Sequence, residues 1–282
     1  MNDTGSENTG SENTGSESAE PGRTAAFFDL DKTILAKSSS LLFARPFYKG
    51  GLIGRADVLK SGYAQFVYLA SGADHDQMEQ MRSYLSALCR GWEVEKVNAI
   101  VAETLDELVD PIVYAEAVAL IDEHRAAGHD IIIISSSGTE VVEPIGERLG
   151  ADIVIGTQLE IVDGCYSGEI LFYAYGEGKA VAVRALAGEH GFDLASSYAY
   201  SDSHTDLPML ELVGNPVAVN PDTELRAVAE SRGWPIQDFA KPVAMQSRLT
   251  TPETKRAAGA AGVALGAAAL GVAWYAARHR PR

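Results

Sequence analysis

Thr24-Ala25-Ala26-Phe27-Phe28-Asp29-Leu30-Asp31-Lys32-Thr33 runs an apolar stretch straight into two carboxylates two positions apart. The stretch reads as a buried strand. Along an extended backbone, residues i and i+2 project to the same side, so Asp29 and Asp31 can reach into one small site. Two such charges held close need a shared proton or a bound cation. The pair stands at a strand end, and three later stretches of the chain add to its significance.

Downstream, strand and helix patterns alternate. Strands are expected at Asp130 to Ile134, Ala151 to Gly156, Ser197 to Tyr200 and Val217 to Val219. A hairpin is expected from Gln158 to Val162 through Asp163-Gly164 to Tyr166 and Leu171. Helical patterns cover Ala115-Glu116-Ala117 and its neighbours, Val141 to Leu149, Lys179 to His190 and Leu207 to Val213. Short apolar strands separated by helices imply an α/β fold with a parallel sheet covered on both faces. Function in such sheets gathers at the carboxyl ends of the strands.

Between the first two strands, about eighty residues from Ser38 to about Ile112 show no strand pattern, too many for a simple loop. Met78, Met81, Leu85 and Leu88 recur at helical spacing, as do Val97, Ile100, Val101 and Leu105. The methionines read as core packing. A small helical module above the carboxyl edge of the sheet is the expectation.

Ile131-Ile132-Ile133-Ile134-Ser135-Ser136-Ser137-Gly138 ends a buried strand in hydroxyls where a helix is expected to start. Free backbone N–H groups and the helix dipole would make a site for a phosphate dianion. The plainer alternative is that a serine only caps the helix. Lys179, in Gly176-Glu177-Gly178-Lys179, is ordinarily a solvated residue; it gains a role only if it points at Asp29. In Tyr200-Ser201-Asp202-Ser203-His204-Thr205-Asp206-Leu207, another strand runs into acids. With Asp29 and Asp31, Asp202 and Asp206 form an oxygen-rich set suited to a hard cation such as Mg²⁺. His204 reads as a loop histidine rather than a metal ligand.

Composition narrows the partners. A net charge of -16 argues against nucleic acid and against electrostatic attraction to an anionic membrane surface. Cys89 and Cys165 lie far apart in no metal-like spacing and suit a reducing, cytoplasmic compartment. Residues 1–22, a Thr-Gly-Ser-Glu-Asn repeat, are expected to be a disordered tail. Ala257 to Ala277 is 21 residues without a charge, enough to cross a bilayer of about 30 Å. Eleven alanines and four glycines weaken that insertion, and basic residues flank both ends. A membrane anchor is the expectation, against an Ala-rich helix that docks on a partner.

The ordered set of four motifs, with a helical insertion after the first, resembles the haloacid dehalogenase (HAD) superfamily of phosphatases from Thr24 to about Phe239. Within it, the chain looks like subclass IB, the phosphoserine-phosphatase-like hydrolases, and like an actinobacterial group that carries a hydrophobic C-terminal tail. The resemblance implies a Rossmann-like core at 23–37 and 113–245, with a helical C1-type cap at 38–112. A linker at 246–256 and the hydrophobic helix at 257–277 would follow. It implies Asp29 as nucleophile and Asp31 as general acid and base, with the Asp31 main-chain carbonyl, Asp29 and Asp202 on Mg²⁺. Asp206 would orient Lys179 or a metal-bound water. Ser135 and the Ser136 amide would bind phosphate, with Lys179 neutralising nucleophile and phosphate. Thr33 and Thr205 are further candidates for phosphate or substrate binding.

Departures limit what the resemblance implies about substrate. The acidic residue that holds the ammonium of phosphoserine in such enzymes is replaced by Ser38. Thr205 stands where asparagine is common. Arg82 and Arg90 are candidates to grip a substrate carboxylate. A small phosphomonoester is the expected substrate, with phosphoserine the narrower reading. The alternatives are a lysophospholipid or other membrane-derived ester, and a non-catalytic membrane-attached binding module.

Overall fold

The computed structural model describes residues 22–54 and 86–240. Expectations for the N-terminal repeat, Met78, Met81, Leu85, Arg82, the 246–256 linker and the 257–277 stretch fall outside the described residues. Among the described residues, no helix is long and apolar enough to cross a membrane.

Seven strands form one sheet: β1 (Ala25–Phe28), β2 (Asp130–Gly138), β3 (Ile153–Val162), β4 (Cys165–Phe172), β5 (Tyr198–Ser201), β6 (Asn215–Val219) and β7 (Ile236–Gln237). Their spatial order is β4-β3-β2-β1-β5-β6-β7. Every pairing is parallel except that of β3 with β4. β1 lies between β2 and β5, with all four residues buried. Its side chains alternate between two cores. Ala26 and Phe28 join Ile131, Ile133 and Tyr200 on one face. Ala25 and Phe27 join Ile132, Ile134, Ala199 and Leu186 on the other. Helices therefore cover both faces, as a parallel sheet of apolar strands requires.

The helices in chain order are α1 (Ser39–Leu42), α2 (Ala44–Lys49), α3 (Val94–Val109), α4 (Ala115–Ala126), α5 (Thr139–Leu149), α6 (Glu177–His190), α7 (Leu207–Leu210) and α8 (Thr223–Arg232); residues 86–89 are also helical. Val97 and Val101 bury one face of α3, with Ile100 and Leu105 packed partly against the same core. The insertion is held by the β3–β4 hairpin. Tyr166 N donates to the Trp92 carbonyl at 3.0 Å, and Val94 N to that of Gly164 at 3.0 Å.

Several boundaries differ from expectation: the helix expected at Leu207 to Val213 ends at Leu210, and the strand expected from Ala151 begins at Ile153. β2 does not stop at Ile134 but continues through the serines to Gly138, with a register irregularity against β3. The expected third strand and the first hairpin arm are one continuous strand, turning at Asp163 (φ 50) and Gly164 (φ 78). Those paired positive φ values fit the twist of a tight hairpin.

Candidate active site

The Asp29 N–H still donates to the Tyr200 carbonyl at 2.9 Å, so Asp29 is the last residue held by the sheet. The chain then turns sharply. Ile34 N and Leu35 N both bond back to the Leu30 carbonyl, and Lys32 takes φ 61. This turn places Asp29, Asp31 and Lys32 on the rim of a cavity of about 710 Å³. Ser136, Lys179, Asp202, Thr205 and Asp206 also line it, from the ends of β2 and β5 and the start of α6. The four motifs converge.

Lys179 is buried rather than solvated. Its ammonium donates to Asp29 Oδ1 at 2.5 Å and to Asp206 Oδ2 at 2.6 Å. Asp206 Oδ2 also accepts from Ser201 Oγ at 2.6 Å. Glycines set the approach of this lysine. Gly176 takes φ 55, a region open to glycine. A Cβ on Gly178 would stand 2.0 Å from the Tyr173 carbonyl oxygen.

Asp31 points at α1. Its Oδ1 accepts from the Ser39 N–H at 2.8 Å and its Oδ2 from Ser38 Oγ at 3.2 Å. Ser38, where an acid was looked for, therefore serves Asp31 as a donor. Ser39 Oγ and Ser40 Oγ each share a hydrogen bond with Ser137 Oγ, at 2.7 and 2.9 Å. That serine cluster ties α1 to the end of β2.

None of the serines caps α5: Gly138 is its N-cap and no side chain bonds there. Ser135 is fully buried, its Oγ accepting from Ser137 N at 3.3 Å, while Ser136 faces the cavity. Thr205 lines the cavity and bonds Ser203. Thr33 is buried, and its hydroxyl has no hydrogen-bond partner. Arg90 lies against Gly168 of β4 and lines neither cavity. His204 faces Asp222 at 3.2 Å and Glu224 at 3.1 Å at the start of α8. Sequence reasoning missed Lys32 and Lys37, both on the cavity wall. Lys32 gave a signal in lying between Asp31 and Thr33; Lys37 gave none.

The electrostatics are unbalanced. Four carboxylates meet one buried ammonium, with Lys32 standing 3.8 Å from Asp202 and largely exposed. Burial pushes Asp29 up to about 7, against the lowering pull of Lys179, and Asp206 and Asp31 add to the rise. Burial, then the Asp29 charge, pushes Asp202 up to about 8. Burial also raises Asp31, partly offset by its bonds from Ser39. Burial alone would lower Lys179, but Asp206 and Asp29 outweigh it and hold it above the ordinary lysine value.

This donor set fits a hard dication that is not fully caged by protein. Among the described residues, no three His, Cys, Asp or Glu side chains form a complete metal-binding group. Mg²⁺ does not need one: it is commonly held by one or two carboxylates, with water and phosphate oxygens completing the shell. Asp29 and Asp202 supply two carboxylates, whereas Asp206 is engaged by Lys179 and Ser201.

Residues 26–211 match the haloacid dehalogenase-like hydrolase family. The chain is 58% identical to the Streptomyces azureus "Inhibition of morphological differentiation protein", over 92% of this chain and 95% of that one. It is 52% identical to the Mycobacterium tuberculosis protein named "Probable phosphatase Rv3661", over 92% and 90% of the two chains. It is 37% identical to the phosphoserine phosphatase SerB1 of M. tuberculosis, over 87% and 80%. Among solved structures, a Bordetella pertussis protein of unknown function superposes with a TM-score of 0.69 at 30% identity, over 77% of this chain and 99% of that one. A phosphoserine phosphatase holding a phospho-aspartyl intermediate analogue shares the fold, with a TM-score of 0.55 at 19% identity over 80% and 97%. The chain belongs to the haloacid dehalogenase-like hydrolases, as an enzyme with relatives named phosphatase among those it matches.

Proposed function

We propose that the chain is a Mg²⁺-dependent phosphomonoester hydrolase working through an aspartyl-phosphate. The observation that carries this reading is the Lys179 ammonium shared between Asp29 and Asp206 at the end of β1. An Asp29 carboxylate oxygen attacks phosphorus, forming an acyl-phosphate as the ester P–O bond breaks. Asp31 gives its proton to the leaving alkoxide, then takes one from the water that attacks phosphorus and releases phosphate. Its raised pKa suits a group that must carry a proton between those steps. Lys179 and the Ser135-Ser136 stretch hold phosphoryl oxygens in line. Mg²⁺, held by Asp29, Asp202 and the Asp31 main-chain carbonyl, would neutralise charge developing on the phosphoryl group.

Phosphate release from a substrate panel, with and without EDTA, tests the reading. Chelation is expected to abolish release, and Asp29→Asn to lower it at least about a thousandfold. Release that survives either treatment sinks the proposal.

Phosphoserine is the narrower reading that the name of SerB1 supports, and the apolar lining of a second cavity beside the first weighs against it. A phosphoserine rate no better than that on generic monoesters removes it. Attachment to a membrane, with a membrane-derived ester as substrate, rests on the 257–277 sequence alone. Absence of the protein from carbonate-washed membranes would end that reading.

A further inference from the structure

A second cavity, of about 160 Å³, adjoins the first and shares Ser136 with it. Its walls are largely apolar, including Phe47, Ile53, Trp92, Val97 and Leu159. They come from the insertion on one side and from α5 and the β3–β4 hairpin on the other. An apolar cavity of about 150 Å³ is enough to accept a benzene ring. The space therefore suits one ring-sized apolar group.

Hydroxyls of Ser40, Ser136, Ser137, Thr157 and Tyr173 also reach these walls, and two further polar groups, Tyr166 and Glu140, stand next to each other in them. Tyr166 is 3% exposed, and its hydroxyl finds no hydrogen-bond partner of good geometry. Glu140, in the first turn of α5, is half-buried beside it. Burial, then the Glu140 charge, raises Tyr166 and keeps it a phenol. Among the described residues, no lysine or arginine pairs with Glu140. A carboxylate in an apolar wall without a counter-charge attracts a cation and repels an anion.

We infer that this cavity receives the alcohol portion of the substrate, a phosphorylated amino alcohol bearing one ring-sized apolar group. The inference deepens the phosphatase reading and rests on it. Ser136, on both walls, places the phosphate end in the catalytic cavity while the apolar group lies between Phe47, Trp92 and Leu159. The ammonium meets Glu140, and the Tyr166 hydroxyl offers a hydrogen bond at the same end. Phosphoserine fits this cavity poorly, because it fills none of the apolar space and brings a carboxylate toward Glu140.

The test compares hydrolysis of phenylalaninol phosphate with 3-phenylpropyl phosphate, the same skeleton without its amine, by the full chain with Mg²⁺. A charge-assisted contact at Glu140 predicts kcat/KM about 10- to 100-fold higher for the amino ester. Glu140→Gln is expected to bring that ratio close to one, and Tyr166→Phe to lower it several-fold. If Glu140 only favours the helix start, Glu140→Gln lowers stability and leaves the ratio unmoved, which overturns the inference. Equal rates on the two esters overturn it without any variant, as does phosphoserine outpacing both. Turnover of p-nitrophenyl phosphate but of neither phenyl ester overturns the inference alone. Hydrolysis of none of these compounds overturns the phosphatase reading with it.

Discussion

Lys179 Nζ lies 2.5 Å from Asp29 Oδ1, joining residues 150 positions apart in a contact almost closed to water. The same ammonium serves Asp206. Lys179→Met leaves two buried acids without compensation, and removal of one partner of a buried pair costs about 3–5 kcal/mol. Protonation of the acids relieves part of that cost. Urea unfolding is therefore expected to show a larger loss at about pH 8 than at about pH 5, together with loss of phosphate release. A stability loss equal at both pH values contradicts the proposed charge balance.

Asp29 and Asp202 hold protons in the native state at values of about 7 and about 8. The unfolded chain releases these protons near pH 4. Native stability from the raised acids is thus full below pH 4 and is lost as pH rises through 7 and 8. His124, pushed down to about 4 by burial and then by His129, works the other way by costing stability as pH falls below the ordinary histidine value. From about pH 6.5 to about pH 8.5 the acids outweigh the small opposing rise from His124, and a net fall on the order of 2 kcal/mol is expected without divalent ions. Mg²⁺ should remove most of that fall, since binding the ionised site stabilises the native state. A flat metal-free profile would contradict this.

Gly178→Ala drives a Cβ to within 2.0 Å of the Tyr173 carbonyl oxygen, so the turn carrying Lys179 must shift. A displacement near 1 Å at a catalytic group can cost on the order of a hundredfold in rate. The expected result is a kcat loss of at least about tenfold in a protein that still unfolds cooperatively. Native kcat in this variant would show that the turn does not position the ammonium.

Arg148 Nε and Nη2 each donate to Asp110 at 2.6 Å, and Nη1 reaches Asp106 at 2.8 Å. These bonds tie α5, which follows the serine stretch, to α3 and the turn after it. Asp110 is 2% exposed. Arg148→Ala is expected to cost about 3 kcal/mol by stranding that carboxylate, and Arg148→Met with Asp110→Leu to recover much of it. Chemical denaturation of the three variants measures this directly.

The sheet and the convergence of Asp29, Ser136, Lys179, Asp202 and Asp206 were readable because three of the motifs close apolar strands, while Lys179 opens a helix. Much of the rest depends on contacts between distant parts of the chain. β2 runs on to Gly138 because it pairs with Thr157 of β3, which the serines themselves do not announce. α8 went unread because only Leu225 and Ala229 are buried on it, too narrow a stripe to show as periodicity. Ser38 looked like the loss of a binding acid, yet it donates to Asp31. Arg90 matched a substrate-gripping role by type, but folding lays it against Gly168.

Peptide mapping of the trapped covalent intermediate tests the central claim most directly. Acid-quenched turnover followed by borohydride reduction converts an aspartyl-phosphate to homoserine. Homoserine at position 29, absent from untreated protein and from Asp29→Asn, is the predicted result. A phosphoryl group carried by any other side chain would contradict it.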